Sequence, residues 1–301
     1  MTGDDVRVQS ELAADAESQA SYHRELFDAL YRWPQFWLEA VDMAGDDACA
    51  RELGLDQLGH FGPRGVALVI DRLVRATTGP LTRILEIGSG FGGALRQAAR
   101  ELHARGLRPC LLGVELVADH CANAAAISRT LGDAGPPIVH ADARQLPLRT
   151  GSIDAVFAAG SASHFANTAE VFAECGRVLR DGGVLVMTEE VSVRAPGAPE
   201  PGDAFVVHHP PDVFHAAAPQ QRRHELIAAG LEIEIRESLV RWATPLLRQR
   251  VHALRLLAHC SRRMFGDHAY ERMVGTLTSA ADEYERGSIE PVLVVARRVA
   301  R

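Results

Sequence analysis

Lysine is absent from this chain: all 32 of its Lys and Arg positions are arginine. That excludes a lysine Schiff base, a lysine general base and the Tyr-x-x-x-Lys pair of many oxidoreductases. Cysteine is sparse and scattered. Cys49, Cys110, Cys121, Cys175 and Cys260 are odd in number and contain no Cys-x-x-Cys pair, which argues against a disulfide framework and a structural zinc site; no metal is expected. No apolar run approaches the length of a membrane span, and the amino-terminal stretch is acidic rather than signal-like, so a cytoplasmic protein is expected. Positive charge is in deficit as well, with a formal net charge of -7. A chain of this sign repels nucleic-acid phosphates and anionic lipid, so neither nucleic acid nor membrane is expected as a partner.

Aromatic residues make up only 6% of the chain, yet Tyr22, Phe27, Tyr31, Trp33, Phe36 and Trp37 crowd into residues 20–45. This stretch reads as helix, interrupted at Pro34; residues 1–20 read as a frayed polar lead. A further helix is expected from Pro63 to about Thr77, with Val66, Val69, Ile70, Leu73 and Val74 on one face. Strands and helices then alternate. Strands are expected at Arg83–Ile87, Pro109–Glu115, Pro137–His140, Ile153–Ala159 and Val184–Thr188, with helices at 92–103, 118–131 and 167–179 between them. Such alternation means an α/β fold, a doubly wound and mostly parallel sheet with helices on both faces. The Pro- and Gly-rich stretch Val191–Asp212 reads as a loop. A helix at 219–229, a strand Leu231–Val240, helices at 244–264 and 267–286 and a closing strand Pro291–Val299 complete the chain, the last two strands pairing with each other.

The most informative segment is Leu85-Glu86-Ile87-Gly88-Ser89-Gly90-Phe91-Gly92-Gly93, where the first strand turns into a helix. Glycine is required where the chain turns sharply and a ligand approaches bare backbone, and the helix start offers free N–H groups. The spacing of Gly88, Gly90 and Gly93 also fits the GxGxxG of dinucleotide sites. Three acids separate the two readings. Glu86, aimed into the turn, suits an ammonium group and repels a pyrophosphate. Glu115, ending the second strand, can accept both hydroxyls of a ribose. Asp142, after the third strand, can accept from an adenine amino group while the Ala143 N–H donates to the ring.

With the segments HADARQLPL (residues 140–148) and RVLRDGGVLVMTEE (residues 177–190) following in order, this pattern resembles the class I methyltransferases that use S-adenosyl-L-methionine (SAM), over about residues 81–191. The resemblance implies a seven-stranded Rossmann-like sheet with an antiparallel last strand. It implies a cofactor site at Glu86, Gly88, Ser89, Gly90, Gly92, Glu115, Leu116, Asp142, Ala143 and Ala159. The segment Gly160-Ser161-Ala162-Ser163-His164 lacks the Pro-Pro-aromatic loop of base methyltransferases. It is similar instead to the small-molecule subgroup that includes tocopherol, terpene and natural-product methyltransferases, with Gly160 where that subgroup often carries an acid. His164 is the candidate base, with Glu189 and Glu190 at the end of the fifth strand as candidate partners.

The acceptor pocket must come from outside the common core. Tyr22, Trp33, Trp37, His60, Phe61 and Trp242 are its expected walls. The chain therefore divides into an N-terminal helical lid and substrate region (1–78), a SAM-binding core (79–191), and a lid loop, helical insert and C-terminal strands (192–301). The expected activity is C- or O-methylation of a small, largely apolar natural product such as a terpenoid or prenylated aromatic. N-methylation of a small amine, an NAD(P)-dependent oxidoreductase and a non-catalytic SAM-binding scaffold are the alternatives. A homo-oligomer formed through the N-terminal helix is expected.

Overall fold

The computed structural model describes residues 3–33, 35–46, 49–50, 54–132, 135–193 and 198–299, with side chains from Ala13 onward. Helices α1 (Gly3–Tyr31), α2 (Gln35–Ala44) and α3 (Gly62–Ala76) precede the sheet. The alternating part runs β1 (Arg83–Ile87), α4 (Gly93–Ala104), β2 (Cys110–Glu115), α5 (Ala118–Thr130), β3 (Ile138–His140), β4 (Ile153–Ala159), α6 (Thr168–Val178) and β5 (Leu179–Ser192). The remainder is α7 (Asp203–His208), α8 (Pro219–Ala228), β6 (Leu231–Ser238), α9 (Val240–Leu256), α10 (Ala258–Phe265), α11 (Asp267–Arg286) and β7 (Ile289–Arg298).

The seven strands form one sheet in the order β3-β2-β1-β4-β5-β7-β6. β1 pairs in parallel with β2 and β4, and β4 with β5. β7 runs antiparallel between β5 and β6. The order reverses between β1 and β4, and this is where open α/β sheets leave a crevice beyond the carboxyl ends of their strands. The central strands are buried on both faces, so they read as continuous apolar runs. On one face Leu95 of α4, Val69 and Ile70 of α3, Leu247 of α9 and Tyr284 of α11 cover the sheet; on the other, Phe172 of α6 and Leu226 of α8 do so. No helix among the described residues is long and apolar enough to cross a membrane.

Several expected boundaries move. α1 begins at Gly3, not near residue 20. Tertiary contacts hold it: Asp15 pairs with Arg144 at 3.0 Å, and Gln19 Nε2 donates to the carbonyls of His164 and Val213. Pro34, the expected break, lies outside the described residues, between α1 and α2. Val191 and Ser192 belong to β5, because β5 keeps pairing with β7 as far as Ser192 and Ile289, and α7 occupies part of the expected loop. The single helix expected at 244–264 begins at Val240 and breaks at Leu257 into α9 and α10.

At the amino ends of the strands, opposite the crevice, Asp154 holds β4 to the approach of β1. Its carboxylate accepts from Thr82 N and Arg83 N at 2.8 Å, from Thr82 Oγ1 at 2.7 Å and from Arg180 Nε at 2.6 Å. Burial acts to raise its pKa, but these bonds outweigh it and hold the group at about 2. A carboxyl with a depressed folded pKa stabilises the fold above its unfolded value of about 4, and that contribution is lost as the pH falls through about 2. Asp154→Ala should therefore lower stability by about 2 kcal/mol at neutral pH, since buried donors lose a charged acceptor. Urea unfolding at pH 7 measures this, and the gap between parent and variant should narrow in acid.

Candidate active site

The carboxyl ends of β1, β2, β4 and β5 and the loop after β3 open into one cavity of about 700 Å³, within the range usual for ligand sites. Its floor is the turn after β1. Gly88 and Gly90 have φ of +68° and +52°, which L side chains rarely adopt. A Cβ on Gly88 would lie 2.6 Å from Ser161 Cβ, so glycine also permits the close approach of the β4 loop. Ser161 Oγ locks that approach by donating to Ile87 O at 2.7 Å. Gly92, at φ +75°, precedes α4 and does not line the cavity, whereas Gly93 does.

Glu86 is buried at the end of β1, and its Oε2 has no hydrogen-bond partner; the buried Ser89 Oγ lies beside it. Burial pushes the Glu86 carboxyl up to about 8. A buried carboxylate without a cation is costly, so this position is matched to a positively charged ligand group. Glu115 ends β2. Its Oε2 accepts from Gly90 N at 2.8 Å and its Oε1 from Val117 N at 2.9 Å, with His120 Nδ1 at 3.2 Å. Burial acts to raise its pKa; the His120 contact and the two N–H bonds outweigh that and leave it below the ordinary value. Asp142 lines the cavity and is held by Arg144, whose other partner is Asp15 of α1. Leu116, Ala143 and Ala159 line the same cavity.

His164 follows β4 in a short 3-10 turn and lies in the wall. Its Nδ1 donates to Val213 O at 2.9 Å, which leaves Nε2 as the acceptor. Tyr22, His23 and Phe214 place their rings 5.7–6.0 Å from it. Burial brings its pKa down to about 4, so it is neutral at pH 7. Glu189 and Glu190 separate as strand alternation requires. Glu190 lines the cavity, accepting from His60 Nδ1 and Tyr284 Oη at 2.9 Å each and from Ser163 Oγ at 3.1 Å. Burial would raise its pKa, but the His60 and Tyr284 contacts hold it at about 2. Glu189 points to the other face, bound to Arg222 at 2.7 Å, and does not reach the cavity.

Of the expected acceptor walls, Tyr22, His60 and Phe61 line the cavity. Trp33 and Trp37 do not: they stack on each other, centroids 5.4 Å apart, in an apolar cluster with Phe36, Phe91 and Met264. Trp242 packs edge-on against Phe61, behind the lining. Residues that pattern did not reveal also meet here. Asp56 pairs with buried Arg96 at 2.7 Å, which pins the 54–58 loop to α4. His209 Nε2 lies 3.4 Å from His60 Nε2. Tyr284 and Arg250 arrive from distant helices.

A family model described as a methyltransferase domain matches residues 85–187. Residues 85–187 are thus similar to a methyltransferase domain. An uncharacterized methyltransferase of Mycolicibacterium gilvum is 33% identical over 162 residues, covering 52% of this chain and 57% of that protein. The 27-O-demethylrifamycin SV methyltransferase of Amycolatopsis mediterranei is 29% identical over 165 residues, covering 54% and 58%. The chain thus matches little more than half the length of these relatives. In fold it is similar to phosphoethanolamine N-methyltransferase 2 of Haemonchus contortus, with a TM-score of 0.70 at 19% identity, covering 91% of this chain and 60% of that one.

The cofactor of this domain is SAM. Its residues fit: the unpartnered Glu86 oxygen suits the cofactor ammonium, the glycine turn leaves backbone bare, and Glu115 keeps lone pairs for ribose hydroxyls. Glu115→Ala should weaken SAM binding by about 1–3 kcal/mol, since it removes a charged acceptor and frees the Gly90 N–H. Calorimetry on parent and variant reads this, and equal affinities would mean that Glu115 does not touch the cofactor.

Proposed function

We propose that this protein transfers a methyl group from SAM to oxygen or carbon of a small, largely apolar acceptor of the natural-product type. The observation that carries the proposal is that Glu86, Glu115 and Asp142 share one cavity with His164 and with the His60–Glu190 pair. A relative that acts on 27-O-demethylrifamycin SV, judged by its name, supports an apolar acceptor, as do the walls contributed by Phe61, Leu254, Leu257, Phe265 and Leu277.

When bound, the cofactor supplies an already activated methyl on a sulfonium centre. The protein has then to align the acceptor, exclude water and take up one proton. Glu86, Ser89, Glu115 and Asp142 hold the cofactor in this reading. The Val213 carbonyl fixes the His164 tautomer, so its Nε2 is the atom that accepts the acceptor's proton. Glu190, held ionised by His60 and Tyr284, positions the opposite wall. α1 closes the cavity through Gln19 and Tyr22, both in its lining. The divisions 1–78, 79–191 and 192–301 correspond in this reading to cover, cofactor core and acceptor-side insert.

Incubation with methyl-labelled SAM and apolar extracts should place label in the organic phase. His164→Ala should leave SAM affinity within about two-fold of the parent and lower turnover about 100-fold or more. A turnover within about three-fold of the parent would reduce His164 to packing. Because burial depresses the His164 pKa to about 4, the neutral base persists well below pH 6.5. The acid limb of kcat/KM should fall near pH 4, and a limb near the ordinary histidine value of about 6.5 would exclude His164 as the titrating base.

A further inference from the structure

Arg250 reaches from α9 into the wall of the cavity, and among the described residues no carboxylate pairs with it. Other arginines near this site are neutralised. Arg96 pairs with Asp56, Arg144 with Asp142 and Asp15, and Arg222 with Glu189 and Glu225. Glu190, an acid of the same cavity lining, is committed to His60, Tyr284 and Ser163. One guanidinium nitrogen of Arg250, Nη1, donates to the backbone carbonyls of Gly59, at 3.1 Å, and His60. Those carbonyls are neutral: they orient the group without cancelling its charge.

Gly62 lies against the guanidinium: a Cβ built there would be 3.5–3.8 Å from Arg250 Nη1, Cζ and Nη2. Burial lowers the Arg250 pKa to about 10, which still leaves it charged at neutral pH. A partly buried cation without a counter-ion is unfavourable unless a ligand supplies one. A planar guanidinium presents a fork of N–H donors that matches the two oxygens of a carboxylate or phosphate.

We propose that Arg250 binds an anionic oxygen group, carboxylate or phosphate, carried by the methyl acceptor. The acceptor is then amphiphilic. Its apolar body lies along Phe61, Leu254 and Leu257, and its anionic end sits beside the Gly59–Gly62 loop. This inference rests on the methyltransferase reading above, and it selects against acceptors that present a free ammonium at this wall.

The test titrates the protein, with and without S-adenosylhomocysteine, with four probes of equal chain length: octanoate, octyl phosphate, octanol and octylamine. At least one of the two anionic probes should bind about ten-fold or more tighter than octanol and octylamine. The better of the two identifies the group as carboxylate or phosphate. Arg250→Gln should remove this preference while keeping S-adenosylhomocysteine affinity, and Arg250→Lys should keep part of it. Equal binding of charged and neutral probes, or an unchanged preference in Arg250→Gln, overturns the inference. S-adenosylhomocysteine affinity is read separately, so failure of the cofactor reading would show as its loss in the parent protein. Should Arg250→Gln not fold, the graded response of Arg250→Lys and the four-probe ranking on the parent decide the matter.

Discussion

The Glu115 carboxylate joins three parts of the chain that would otherwise be independent. It accepts from Gly90 N in the turn after β1, from Val117 N at the approach to α5, and contacts His120, whose Nε2 lies 2.8 Å from Tyr31 Oη on α1. The turn needs such an acceptor at Gly90 N, because backbone carbonyls already take the neighbouring donors: Val114 O takes Gly88 N and Ser89 N, and Ser89 O takes Gly92 N. The carboxylate also reaches α1 through His120 and Tyr31. The same oxygens border the cavity. A ligand that engages Glu115 is therefore linked, through His120 and Tyr31, to α1, which contributes Gln19 and Tyr22 to the cavity wall.

Charge in the cavity is arranged as a set of unequal carboxylates. Glu86 is buried and lacks a partner for Oε2, so burial dominates and its pKa rises. Glu115 and Glu190 are equally enclosed, yet donors surround them and they stay ionised. The difference follows from hydrogen bonding rather than depth. It leaves Glu86 as the carboxylate that gains most from a cationic ligand, beside a His164 that is neutral and oriented by Val213 O.

Much of the sheet was legible in the sequence because parallel central strands are short apolar runs punctuated by glycine. β1, β2, β4 and the pairing of β6 with β7 lie within a residue or two of expectation. The place of Glu86, Glu115 and Asp142 in the cavity lining was legible because a strand's end is also the edge where the crevice opens. What stayed hidden was set by contacts between distant segments. Trp33 and Trp37 look like pocket walls by composition, but Phe36, Phe91 and Met264 give them a better-packed home. Glu189 and Glu190 must point apart in any strand, yet which one faces the cavity depends on Arg222 waiting on the opposite face. Arg250 and Tyr284 come from the C-terminal insert, and no local spacing announces that they meet His60 and Glu190.

The account stands on the turn after β1 being a site for an ammonium-bearing cofactor and not for a dinucleotide, and binding calorimetry tests this most directly. S-adenosylhomocysteine should bind the parent protein at one site per chain and bind Glu86→Gln about ten-fold or more weakly, with no heat from NAD or NADP. Saturable binding of NAD or NADP, with none of S-adenosylhomocysteine, would contradict it.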